Sequence, residues 1–245
     1  MHYVPSGPEE AEFLKNYDPY AYELPAVTVD MALFAFDGAA LSLLLIRRGG
    51  YPFRGCLALP GGFLEMSESP REAAARELLE ETGVSGVTPV QIYTLGEPGR
   101  DPRHRILSVL HLALVDAAAV VPRAGDDAAE ALWFSLEGFS REGSALALTL
   151  RGPGGETLSP AGETGPGDLL RAPRLPEIAC DHTEAILRAF LALRRSLVCG
   201  DIARQLWPEG AGEAQLSALC RAAFLPAQSW RKNPFFADRR REGVF

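Results

Sequence analysis

Gly61-Gly62-Phe63-Leu64-Glu65-Met66-Ser67-Glu68-Ser69-Pro70-Arg71-Glu72-Ala73-Ala74-Ala75-Arg76-Glu77-Leu78-Leu79-Glu80-Glu81-Thr82-Gly83-Val84 is the stretch on which the reading of this chain turns. Ser69 is a good N-cap, Pro70 suits the first helical position, Glu72 completes an S-x-x-E capping box, and Gly83 ends the pattern as a C′ glycine. These signals predict a helix from Pro70 to Thr82. On it Glu77, Glu80 and Glu81 fall at i, i+3 and i+4, so three carboxylates share one face about one turn long. Like charges so placed repel by roughly 0.2–0.5 kcal/mol per pair, and they lie toward the helix end where the dipole also disfavours acid. A divalent cation turns that penalty into a binding site. Oxygen-only donors select hard ions such as Mg2+ or Mn2+, which bind through a few carboxylates while gripping substrate phosphate. Alone, such a run is more often a solvated acidic face paired with arginines. The Gly61-Gly62 loop just ahead reverses that reading, because its bare backbone can approach phosphate and offer a carbonyl to the same ion.

Working outward, two apolar runs, Val27 to Phe36 and Leu41 to Ile46, flank the turn signal Asp37-Gly38 and predict a β-hairpin. Val87 to Leu95, Ile106 to Val115 and Ala131 to Ser135 are further strand candidates. Strands and helices alternate irregularly, which points to an α+β or mixed α/β fold. Between Arg151 and Pro176 the sequence turns Gly- and Pro-rich and reads as a linker or long loop. Beyond it, His182 to Leu197 carries apolar residues at helical spacing, followed by shorter helical segments from Asp201 to Trp207 and Glu213 to Phe224. The expected organisation is thus a catalytic-type domain over 1–150, a linker over 151–177 and a small helical domain over 178–245. Charge supports the division: residues 1–177 hold 14 basic and 25 acidic residues, residues 178–245 hold 10 and 7.

Composition excludes several classes. The chain has 245 residues, 47% of them hydrophobic, ample for a buried core, so neither a disordered chain nor a disulfide-stapled miniature fits. With 24 Lys+Arg against 32 Asp+Glu the net charge is −8, and no overall basic balance argues for nucleic acid or anionic membrane. Cys56, Cys180, Cys199 and Cys220 are widely separated and read as reduced thiols, which makes a cytoplasmic location the expectation. The opening residues lack a basic and then apolar leader, and no apolar run approaches the ~18 residues needed to span a bilayer.

The quoted stretch resembles the Nudix box: glycine, five residues, glutamate, seven residues, Arg-Glu, an aliphatic residue, any residue, Glu-Glu, any residue, glycine and an aliphatic residue. Gly62, Glu68, Arg76, Glu77, Leu78, Glu80, Glu81, Gly83 and Val84 fill every specified position. A chance match is on the order of one in a billion per starting position at average residue frequencies. The resemblance implies a hydrolase for nucleoside diphosphates linked to another moiety, built as a Nudix α/β/α sandwich with a mixed sheet. By matching positions, it implies that Glu77, Glu80 and Glu81 hold the metal, Mg2+ or Mn2+, that Gly61 adds its carbonyl, and that Glu68 and Arg76 brace loop and helix. In such enzymes the general base is a box glutamate or an acid on a separate loop. Asp126, Asp127 and Glu130 lie between two strand candidates, and Glu130 is the preferred external carboxylate.

Leu45 to Gly62 and the segment Gly99-Arg100-Asp101-Pro102-Arg103-His104-Arg105 look like the ADP-ribose pyrophosphatase branch and its regulator relatives. Arg103 and Arg105 precede a strand, where alternation puts both on one face; guanidinium forks there suit phosphate. Arg54, close to the glycine loop, is a third substrate candidate. The expected substrate is ADP-ribose, split to AMP and ribose 5-phosphate. In the resembling regulators a winged helix-turn-helix follows the Nudix-like domain, so the alternative expectation is an ADP-ribose-sensing transcriptional regulator binding DNA through a winged-helix-like C-terminal part. Trp230, Arg231 and Lys232 fit that pattern, basic residues are missing at Ala227, Gln228 and Asn233, and Arg239-Arg240-Arg241 is a short basic run. A homodimer is expected from the resemblance alone.

Overall fold

The computed structural model describes residues 3–125 and 128–237. Asp126, Asp127 and Arg239-Arg240-Arg241 lie outside the described residues. Along the chain come α1 (Pro8–Asn16), β1 (Ala26–Phe36), β2 (Leu41–Arg48), β3 (Leu57–Ala58), β4 (Gly61–Phe63), α2 (Pro70–Thr82), β5 (Val90–Leu95) and β6 (Ile106–Asp116). Then follow β7 (Ala128–Glu142), β8 (Ala145–Arg151), β9 (Thr157–Leu158), β10 (Ala161–Thr164), β11 (Leu170–Arg171), α3 (His182–Cys199), α4 (Glu213–Ala222) and α5 (Pro234–Ala237). Among the described residues no helix is long and apolar enough to cross a membrane.

The fold is α+β with one mixed sheet, in the order β11-β10-β8-β7-β2-β1-β6-β5. Strand β1 runs antiparallel to β2, as the hairpin reading expects, with Phe34 opposite Leu43 and Phe36 opposite Leu41. The Asp37 carboxylate closes the turn by accepting from the N–H groups of Ala39 and Ala40, and Gly38 supplies the positive φ of +98°. On its other edge β1 pairs in parallel with β6 along its whole length, from Ala26–Ile106 to Phe36–Asp116.

Both strands are buried nearly throughout because helices cover both faces of the sheet. Val29, Met31 and Leu33 face α2, where Ala73, Ala74 and Leu78 meet them. Their neighbours Ala32, Phe34 and Phe36 belong to a larger cluster on the opposite face that includes Ile186, Phe190, Leu193 and Leu197 of α3. That cluster continues to Leu216, Leu219 and Trp230, so the C-terminal helices share a core with the sheet.

Helix α2 has the expected bounds. The Ser69 hydroxyl accepts from Glu72 N–H and the Glu72 carboxylate accepts from Ser69 N–H, the two bonds of the capping box, and Gly83, at φ +70°, donates its N–H to Leu79 O at 2.8 Å.

The Gly/Pro-rich stretch from 151 to 177 corrects the linker expectation: it carries β9, β10 and β11, which extend the sheet beyond β8. Its glycines serve the turns, Gly155 at φ +86° and Gly167 at φ +68°, while Leu158 and Leu170 are buried. Strands of two to four residues are too short to leave a periodic signal among such punctuation. The candidate Ala131 to Ser135 is only the middle of the 15-residue β7, whose register shifts between Leu136 and Gly138.

Candidate active site

Strand β4 lies across the end of β1, with Gly61 opposite Asp30 and Gly62 opposite Val29. A Cβ on Gly61 would stand 2.1 Å from Val29 O, and one on Gly62 would stand 2.3 Å from Glu77 Oε1. The Gly61 position is closed by backbone, and a Cβ at Gly62 would push the Glu77 carboxylate aside, so the glycines let backbone lie flush between β1 and the carboxylates of α2. Gly61 N–H donates to Glu81 Oε2 at 2.8 Å. Beside this contact opens a cavity of about 620 Å³, and Glu77, Glu80, Glu81, Gly61 and Gly62 all line it.

The three carboxylates stand in different environments. Glu81 is 7% exposed, and burial pushes its carboxyl up to about 8, with the Gly61 N–H pulling the other way. Burial also raises Glu77, partly offset by the Arg76 guanidinium. Glu80 is on the exposed side of the helix. Arg76 ties the assembly together: it reaches Glu68 at 2.6 Å, Glu77 at 2.8 Å, Glu80 at 2.9 Å and Phe63 O at 3.0 Å. Glu68 in turn accepts from Glu65 N–H, so the loop is fastened to the helix through one guanidinium. Among the described residues no three Asp, Glu, His or Cys side chains converge as a preformed metal-ligand set, since the cation between Glu77 and Glu80 is Arg76.

Of the arginines expected at a substrate, Arg103 lines the cavity. Its guanidinium forks onto Asp101 at 3.0 and 2.8 Å and lies 5.3 Å from the centre of the Phe63 ring. Arg54 and Arg105 are exposed and do not line the cavity. Strand alternation does not act on Arg105, because residues 101–105 form a bent loop and β6 begins only at Ile106. Arg54 sits in a turn between Phe53 at φ +62° and Gly55 at φ +83°. Glu130 is likewise outside the cavity, and the structure does not bring it to the box. It stands opposite Arg47 in the β2–β7 pairing and binds that guanidinium at 2.6 Å. Adjacent strand residues project to opposite faces, so it is Arg48 that lines the cavity and Arg47 that takes Glu130 away from it.

Sequence reasoning missed a buried polar group at the inner end of the cavity. Asp30, 6% exposed, accepts from the Ser108 hydroxyl and lies 3.6 Å from His182 Nε2 and 3.9 Å from an Arg100 Nη2. His182 Nδ1 accepts the Leu59 N–H at 2.9 Å, which leaves Nε2 as the nitrogen that carries hydrogen toward Asp30. Arg100, almost wholly buried, makes a bidentate pair with Asp181 at 2.7 and 2.7 Å. Asp30, Arg100 and His182 all line the cavity. The one local signal was a charged residue inside the apolar run Val27 to Phe36; the partners come from residues 70 to 152 positions away in sequence, through sheet pairing and the docking of α3.

Residues 24–150 match the family model described as NUDIX domain. The chain is 41% identical over 112 residues to the "ADPR responsive transcriptional repressor NtrR" of Acinetobacter baylyi, a match spanning 45% of each protein. It is also 41% identical over 123 residues to the "ADP-ribose pyrophosphatase" of Methanocaldococcus jannaschii, covering 50% of this chain and 68% of that one. Among solved structures, a MutT/nudix family protein from Enterococcus faecalis aligns with TM-score 0.68 at 28% identity, over 91% of this chain and 86% of that one. The chain therefore spans less than half the length of the Acinetobacter relative and about two thirds of the archaeal one. With the glycine loop, the capped helix and its three glutamates in one place, and the domain match covering more than half the sequence, this chain belongs to the Nudix family.

Proposed function

We propose that this protein hydrolyses the diphosphate bond of a nucleoside diphosphate derivative in a divalent-metal-dependent reaction, with ADP-ribose, split to AMP and ribose 5-phosphate, as the substrate to try first. The observation that carries the reading is the placement of Glu81, buried against the Gly61 N–H beside Glu77, on the wall of a 620 Å³ cavity that Arg48 and Arg103 also line. A 41% identical relative named as an ADP-ribose pyrophosphatase supports the substrate.

The donor set fits a hard divalent ion. Glu77 and Glu81 are acids whose burial disfavours their ionised forms, and every group offered is an oxygen. Glu77, Glu80 and Glu81, with the Gly61 carbonyl, would hold Mg2+ or Mn2+ once Arg76 loosens its contacts with Glu77 and Glu80. When bound, the metal supplies charge neutralisation at the diphosphate and lowers the pKa of water. The chain's own residues do the rest. Gly61 and Gly62 leave room for the diphosphate to reach the carboxylates. Arg103 exchanges Asp101 for a phosphate oxygen, and Arg48 adds positive charge at the same wall. Glu130 is held by Arg47, and proton removal from water is assigned to a box carboxylate because Glu77, Glu80 and Glu81 line the cavity. A cytoplasmic homodimer completes the reading: all four cysteines are free thiols, which suits a reducing compartment, and the dimer rests on family resemblance.

The test is incubation with ADP-ribose and Mg2+ followed by chromatography. AMP and ribose 5-phosphate in equal amounts support the reading, and intact ADP-ribose after prolonged incubation with Mg2+ or Mn2+ rejects it.

One observation favours a second reading, ADP-ribose sensing by a transcriptional regulator. Arg76 engages Glu77 and Glu80 as they stand, an arrangement adequate for binding without cleavage, and the Acinetobacter relative is named as an ADPR responsive repressor. In that reading the helices beyond residue 178 are a winged-helix-like DNA-binding part. Duplex binding across a salt series, with release by ADP-ribose, supports it; no salt-dependent complex rejects it.

A further inference from the structure

A second cavity of about 630 Å³, as large as the first, opens between the β5–β6 loop, β11 and the start of α3. Four arginines from three segments line it: Arg100 before β6, Arg171 and Arg174 at and just after the end of β11, and Arg188 of α3. Three carboxylates accompany them, and two are already committed, Asp181 to Arg100 at 2.7 Å and Glu184 to Arg188 at 2.7 Å. Arg188 is further fixed by stacking 3.7 Å from the Tyr93 ring centre and by donating to Asp168 O at 2.8 Å. The remaining two arginines make no ion pair among the described residues, although Glu163 stands opposite Arg171 in the β10–β11 pairing. Among the described residues Arg174 donates to the carbonyls of Gly99 and Arg100, at 3.4 and 2.8 Å, and to no carboxylate. Arg171 has no side-chain hydrogen bond or ion pair among the described residues. Glu97, the third carboxylate, also pairs with none of them, which leaves the cavity with one net positive charge.

A concave site that holds two guanidiniums without a paired carboxylate, beside two locked ones, suits a compact dianion. We propose that this cavity is a binding site for a phosphate group, free or carried on a small molecule, with Arg171 and Arg174 as its ligands. It is separate from the carboxylate cavity, and the two share Arg100 as a common wall. The inference does not depend on the hydrolase reading, because it uses none of the box residues.

The experiment is calorimetric titration of the full chain with inorganic phosphate, without divalent metal and at constant ionic strength, with chloride as the control anion. The panel is wild type, Arg171→Gln, the double variant Arg171→Gln/Arg174→Gln, and Arg123→Gln, an exposed arginine that lines neither cavity, as a charge-matched control. Both site arginines are exposed, and thermal melts verify that each variant folds. The expected result is saturable phosphate binding that weakens about 3-fold or more in Arg171→Gln and about 10-fold or more in the double variant, with Arg123→Gln unchanged. Should Arg174→Gln perturb the Gly99–Arg100 loop, Arg171→Gln alone still decides. No saturable binding to wild type, equal binding by Arg171→Gln, or an equal loss in Arg123→Gln would each overturn the proposal.

Discussion

Replacing Asp181 with alanine strips Arg100 of its bidentate partner while leaving the guanidinium buried. The pair has side-chain exposures of 5% and 17%, so solvent screens it weakly, and the nearest other carboxylate, Asp30, is 3.9 Å away. Breaking one side of such a pair costs about 3–5 kcal/mol, and the lower end applies here because Arg100 borders two cavities that admit water. Helix capping does not confuse the result, since the Asp181 side chain makes no capping bond to α3. For a chain of this size about 3 kcal/mol lowers Tm by roughly 6–12 °C. Differential scanning calorimetry of Asp181→Ala measures it, and the double variant Arg100→Met/Asp181→Leu, which removes both charges, recovers most of the loss. A drop below about 2 °C in the single variant would refute the claim that this ion pair fastens α3 to the loop before β6.

Other outcomes follow from the box. Glu81 titrates at about 8 in the folded chain against an ordinary 4.5, so the folded state keeps a proton that the unfolded chain releases across that interval. Stability contributed at this site is therefore greatest below pH 4.5 and declines as pH rises to 8. In urea unfolding without divalent ions, Glu81→Gln gains on wild type by on the order of 3 kcal/mol between about pH 5 and pH 8.5; a constant difference contradicts the burial argument. Gly62→Ala places a methyl 2.3 Å from Glu77 Oε1 and displaces that carboxylate. Turnover then falls by about 10²-fold while Tm changes by only a few degrees, read by product release and thermal melts. Ser69→Ala removes one half of the capping box and costs about 1 kcal/mol, a Tm loss of roughly 2–4 °C.

Local signals carried α2 and its caps, the β1–β2 hairpin and α3 into view from sequence, because each depends on residues within a few positions of one another. The carboxylate face and the glycine loop were legible for the same reason, being fixed by helical spacing and by the absence of side chains. Direction in space was not. Arg47 and Arg48 are neighbours in sequence, yet only Arg48 lines the cavity, and the β2–β7 register decides that Glu130 goes with Arg47. Arg105 precedes its strand, so strand alternation does not yet act on it. Asp30, Arg100 and His182 meet only because β1 pairs with β6 and α3 docks on the sheet. The strands within 151–177 are held by pairing to β8, which short Gly- and Pro-rich segments do not announce.

Initial rates of ADP-ribose cleavage as a function of Mg2+ concentration, for wild type and Glu81→Gln, decide whether the buried box carboxylate serves a metal-dependent hydrolysis. Saturable dependence on the metal, loss of activity with a chelator, and a rate about 10²-fold lower or worse in the variant are the expected results. A wild-type protein inert at every Mg2+ and Mn2+ concentration, or a variant that keeps pace with it, would overturn that mechanism.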